Sequence, residues 1–128
     1  MTYHMTKKVN LPFDQATDKV TQALAEKGFG VLTTIDVKAT LKKKIDADFR
    51  PYTILGACNP NFAFQALQAE SKIGTMLPCN VIVEETEAGL VEVSAVDPMA
   101  SMQAIENPDL AGIADQVQGL LSEVIDSL

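Results

Sequence analysis

Residues 52–83 constrain the fold more than any other stretch, because both cysteines fall there, each at the end of an apolar run. The segment reads YTILGACNP, a helix-like portion, then TMLPCNVIV, and Cys58 and Cys79 are each followed by an asparagine, Asn59 and Asn80. Tyr52–Cys58 and residues 80–85 are apolar and β-branched, the pattern of strands. Asn59-Pro60 is a helix start, with asparagine at the cap and proline at the first helical position. Phe62, Ala63, Ala66 and Leu67 form the apolar stripe of that helix, which runs to about residue 71. Two strands joined in this way are open to both orientations. Laid parallel, they set Cys58 at the end of one strand and Cys79 at the start of the next, about 20 Å apart at ~3.3 Å per residue. Laid antiparallel as neighbours, they let the two thiols meet.

The rest of the chain alternates in the same manner. Residues 2–9 put Tyr3, Met5 and Val9 on one side and His4, Thr6 and Lys8 on the other, a half-buried strand. Pro12 and Asp14 open a helix with Phe13, Ala16, Val20, Ala23 and Leu24 at helical spacing, and Gly28 ends it. Residues 29–35 form a second strand. Asp36 caps a short helix with Val37, Leu41 and Ile45 on one face, while Lys38, Lys42, Lys43 and Lys44 face water; a solvated face explains these lysines better than an anion site does. Residues 90–96 alternate Val91, Val93 and Ala95 against Glu92 and Ser94, so they return from residues 80–85 as a hairpin with one wet face. Asp97-Pro98 and Asn107-Pro108 repeat the cap-then-proline device. The second opens a helix striped by Ile113, Val117, Leu120, Leu121, Val124 and Leu128. This order predicts one domain over residues 1–128: an α+β two-layer sandwich with a mostly antiparallel five-stranded sheet and helices on one face. A parallel β–helix–β unit over residues 52–85 stays open.

Charge and cysteine usage exclude several function classes. Ten basic against seventeen acidic residues give a net charge of −7, the wrong sign for a nucleic-acid or anionic-membrane surface. Two cysteines in 128 residues do not make a disulfide framework. No apolar leader and no run of about 18 apolar residues is present, so a cytoplasmic, reducing location is the expectation.

At ACNP and LPCNV the sequence resembles domain-of-unknown-function family 302 (DUF302). The likeness extends to Ile35-Asp36-Val37 with the lysine-bearing segment after it, to Gly56 through Pro60, to Leu77 through Val81, and to Val96-Asp97-Pro98. Thr75 is polar where the family pattern has an apolar residue. The resemblance implies a compact α+β fold of TATA-binding-protein-like arrangement and a tendency to dimerise. It implies no activity.

Chemistry is therefore weighed residue by residue. Cys58 and Cys79 are candidates for a soft-metal or thiol site, since thiolates bind zinc or copper(I) and a thiolate before a helix N-terminus is activated. The competing reading makes both of them small packing residues. No C-x-x-C occurs, and the 20 residues between the cysteines match no zinc pattern. His4, the sole histidine, is a candidate third metal ligand, set against plain exposure on its strand. Asn59 and Asn80 are candidate ligand-binding amides; for Asn59 the stronger expectation is a helix cap. Met76, Met99 and Met102 are a candidate soft patch or core filling. No G-x-S-x-G, phosphate loop or H-E-x-x-H is present. Three functions compete: a dimeric module binding a small ligand or soft metal near Cys58, Asn59, Cys79 and Asn80; a thiol-based redox or catalytic protein using Cys58; and an interaction domain with no ligand. A homodimer is expected, because several strands have edges that need cover.

Overall fold

Period-two alternation becomes five strands, and the helical stripes become five helices. In the computed structural model, which describes residues 2–128, the order is β1 (His4–Val9), α1 (Phe13–Glu26), β2 (Gly30–Asp36), α2 (Val37–Ile45), β3 (Tyr52–Cys58), α3 (Pro60–Ala69), a 3-10 turn (Ser71–Met76), β4 (Cys79–Glu87), β5 (Leu90–Val96), α4 (Pro98–Ser101) and α5 (Pro108–Asp126). One sheet holds all five strands in the order β1-β5-β4-β3-β2. Every neighbouring pair is antiparallel. The fold is an α+β sandwich. The parallel alternative for residues 52–85 is overturned: β3 and β4 are antiparallel neighbours, with Ala57 opposite Cys79. The 3-10 turn after α3 folds the chain back, so it re-enters the sheet at the end it left.

Alternation then decides which side chains enter the core. Leu55, Ala57, Val81, Val83, Val93 and Ala95 are buried on one face of the sheet. They pack in a single cluster with Ala16, Val20 and Leu24 of α1 and with Val117, Leu121 and Val124 of α5. Burying each of these larger side chains stabilises the fold by roughly 1.5–3 kcal/mol. Leu120 and Leu128 lie at the margin of the core, and the fully packed stripe of α5 includes Leu110, Ala114 and Ile125 instead of the flanking leucines. The opposite face of the sheet is uncovered by helices. Its rows run Thr6–Ser94–Ile82–Ile54–Ile35 and Lys8–Glu92–Glu84–Tyr52.

The caps behave unequally. Asp36 accepts from the Ala39 N–H, Asp97 from Met99 and Asn107 from Asp109, as their positions require. α2 buries no residue, and Ile45 is 69% exposed. Lys42 reaches Asp46 at 2.8 Å and Asp48 at 3.3 Å in solvent, so the lysine-bearing helix is a solvated face.

Candidate functional site

Antiparallel pairing brings the ends of β3 and β4 together, and the site is built there. Cys58 is the last residue of β3, Asn59 the residue before α3, and Cys79 the first residue of β4. All three line one apolar cavity of about 30 Å³, walled by Phe29, Phe62, Leu77 and Met102 and floored by α5 at Ile113 and Val117. That volume holds about two water-sized particles. Both cysteines are free and partly buried. Burial pushes the Cys79 thiol up from 9.0 to about 11, and the neighbouring Cys58 adds to the shift. A thiolate loses solvation in apolar surroundings, so Cys79 is protonated and poorly nucleophilic at neutral pH.

Asn59 corrects an expectation. It stands at the N-cap of α3 with extended backbone, yet its side chain caps nothing. Its Nδ2 instead points at the Lys27 carbonyl at 3.5 Å. Gly28 explains this: its φ of +85° turns the chain after α1, and the space a Cβ would fill there lies 3.1 Å from Asn59 Nδ2. The amide therefore tethers the end of α1 to the start of α3, and the first-turn N–H groups of α3 lack a side-chain acceptor.

The remaining candidates lie elsewhere. Asn80 is exposed and opposite Gly56. It lines a shallow groove of about 490 Å³ on the uncovered face, together with His4, Tyr52 and Ile82. One step along the strand reverses the side-chain direction, so Cys79 and Asn80 serve opposite faces. His4 is exposed, and its Nδ1 is 2.7 Å from Thr6 Oγ1, which is 2.7 Å from Ser94 Oγ. The structure thus groups Cys58, Asn59 and Cys79, and separately groups His4 and Asn80. His4 does not join the two cysteines, and among the described residues no three His, Cys, Asp or Glu side chains converge in a metal-binding cluster. At the far end of the groove Arg50 bonds Glu84 at 2.9 Å and lies 4.4 Å over the Phe49 ring. Burial, then the Glu84 charge, raises the Tyr52 phenol above its usual value.

The cavity's walls carry little signal in the sequence. Met102 was legible only as one of several methionines, because it follows a four-residue helix with no periodicity to aim it. The fold that brings α4 over the strand ends is what makes it a neighbour of Cys58 and Cys79.

Among the described residues no helix is long and apolar enough to cross a membrane. A crystal structure of an uncharacterized conserved DUF302 protein from Bacillus stearothermophilus superposes with a TM-score of 0.91 at 28% identity, covering 98% of each chain. No curated protein matches. The model of the domain of unknown function DUF302 matches residues 5–128, so the strand-end Cys-Asn elements, the antiparallel sheet and the helical layer are those of a chain that belongs to the DUF302 family.

Proposed function

We propose that this protein is a homodimeric binding module that takes a small ligand or a soft metal ion in the cavity at the ends of β3 and β4. One observation carries the reading. Residues from two separate segments, Cys58 with Asn59 and Cys79, meet at a single cavity whose other walls are apolar. A few placed polar groups in an apolar enclosure are the usual composition of a ligand site. Asn80 and His4 fall outside it. Two free thiols fit a reducing, cytoplasmic setting.

The dimer has its own support. β2 is an edge strand, and it exposes Leu32 (68%) and Ile35 (46%); Ile45 of α2 is exposed as well. Apolar side chains along an unpaired edge are what a second chain would cover.

A thiol-based role for Cys58 is the second reading, favoured by its place just before the N-terminus of α3. Native mass spectrometry of the purified protein, before and after a chelator, with alkylation of Cys58 and Cys79 followed by peptide mapping, tests both. The binding reading expects bound mass whose removal speeds alkylation of both cysteines. Turnover of a disulfide substrate that Cys58→Ser abolishes and Cys79→Ser spares would favour the second reading and count against the first.

A further inference from the structure

A second space adjoins the cavity at the strand ends. It is an apolar groove of about 190 Å³ between α4, the segment after it and α5, lined by Met99, Ile105, Leu110 and Ala111 with Gln103 and Asn107. Met102 and Ala114 line both spaces, so these two side chains form the partition between groove and cavity. We propose that groove and cavity are one channel that takes the hydrocarbon chain of an uncharged lipid, a fatty alcohol in its simplest form, with the chain end against Cys79 and the hydroxyl at the surface beside Gln103. The proposal rests on the reading of the strand-end cavity as the binding site and names its ligand class.

Strand direction fixes the inner end. Cys79 is paired opposite Ala57, which is buried on the helix side of the sheet, and Cys79 packs against the same core. Its thiol therefore closes the channel, and burial holds it protonated there. Charge then selects the ligand. Among the described residues no Lys, Arg, His, Asp or Glu lines either space, so an ionic head drawn inside would lose its hydration without a partner. Asn107 is already occupied, donating to the Ala69 carbonyl and accepting from the Asp109 N–H, which leaves the Gln103 amide for a neutral hydroxyl. Size narrows the class further. Spaces of about 30 and 190 Å³ fall short, even joined, of the ~300–1,000 Å³ of a site for a compact drug-sized molecule. A slender chain threads two small spaces joined at a neck. The neck itself is adaptable, because the Met102 side chain is unbranched and flexible. The backbone N–H groups of residues 101–107 reach no further than four residues back along the chain. Apolar side chains and the Asn107 amide thus hold this cover in place, the construction of a segment that opens locally.

The test titrates the full chain with hexanol, octanol, decanol, octanoate and octylammonium. Two readouts are taken on the folded protein: the resonances of isotope-labelled methionine methyls, and the rate of Cys79 alkylation by peptide mapping. Octanol is expected to move the Met99 and Met102 methyls, to leave that of Met5 on β1 unmoved, and to slow alkylation of Cys79. Affinity should rise roughly threefold to fourfold per added methylene from hexanol to octanol. Both octyl ions should bind at least about tenfold more weakly than octanol. Ala111 is exposed on α5, so Ala111→Leu is expected to keep the fold, narrow the groove and weaken octanol by about tenfold. Equal binding of octanol and octanoate, or no gain with chain length, would overturn the lipid assignment. A shift of Met99 alone, with Cys79 alkylation unchanged at saturating octanol, would show that groove and cavity are separate and overturn the channel. If no alcohol binds while the purified protein carries another bound mass whose removal speeds Cys79 alkylation, the lipid inference falls and the cavity reading stands. If no alcohol binds and no such mass is found, both fall together.

Discussion

Cys79 shows how one side chain links burial to pH. Its thiol lies at about 11 in the fold against 9.0 when unperturbed. A raised acid pKa stabilises the fold fully below the unfolded value and is lost as pH rises through the folded one. Stability should therefore fall between about pH 9 and pH 11 by an amount on the order of 2 kcal/mol. Cys79→Ala should flatten that part of the urea-denaturation profile; an unchanged slope would show that the thiol is not desolvated. Asn59 and Gly28 give a second residue-scale prediction. Gly28→Ala forces a left-handed φ on alanine and crowds Asn59 Nδ2, so a loss of about 1 kcal/mol or more is expected. In an Asn59→Ala background the crowding disappears and the φ penalty remains, so the double-mutant cycle should show positive coupling. Strict additivity would refute the contact. At this scale the sequence was half legible. Two cysteines and their flanking asparagines marked the place, because so few other groups carry chemistry. The direction of Asn59 was hidden, since the carbonyl it reaches belongs to Lys27, remote in sequence, and local rules see only the cap.

Elements differ in how much of their formation is local, and the cap-then-proline repeats make the contrast measurable. Asn107 both accepts from the Asp109 N–H at 3.1 Å and donates to the Ala69 carbonyl at 2.9 Å, so it caps α5 and ties it to the end of α3. Asn59 makes only the 3.5 Å contact to Lys27. Asn107→Ala should accordingly cost about 1–2 kcal/mol, and Asn59→Ala clearly less, read as shifts in denaturant midpoint at constant slope. The reverse order would mean that the α3 cap forms in solution after all. Strands were legible through alternation, and helices through stripes and caps. The strand orientation over residues 52–85 was not, because periodicity is blind to direction. The close approach of β2 and β3 at Gly56 was hidden for a related reason. A Cβ there would meet Thr33 Oγ1 and, at 2.8 Å, the Pro78 ring, two segments on either side of it in the folded sheet. Gly56→Ala should destabilise by roughly 1–3 kcal/mol through overpacking. Thr33→Ala should restore only part of this loss, because the proline ring stays.

At the scale of the molecule, the sheet order leaves an apolar edge at β2 and an uncovered face, and both follow from placing all the large helices on one side. Light scattering at micromolar concentration should give a mass near twice the 13.8 kDa of one chain. Ile35→Lys combined with Leu32→Lys should return it to a monomer without loss of helical signal; a dimer that survives both changes would mean that the contact lies elsewhere. The same sheet order has a temporal side. Strands β2 to β5 follow one another in space as they do in sequence, so that meander can assemble while the polypeptide is still emerging from the ribosome. β1 is the exception. It comes before the meander in sequence, yet His4 pairs with Val96, and Lys7 donates to the Asp126 carbonyl at 2.9 Å. Its partners in β5 are made after every other strand, so β1 must wait unpaired while the meander forms, and its long loop closure makes it the slowest pairing to form. Pulse-labelling hydrogen exchange during refolding should find the β1 amides protected last; early protection there would reverse that sequence of events.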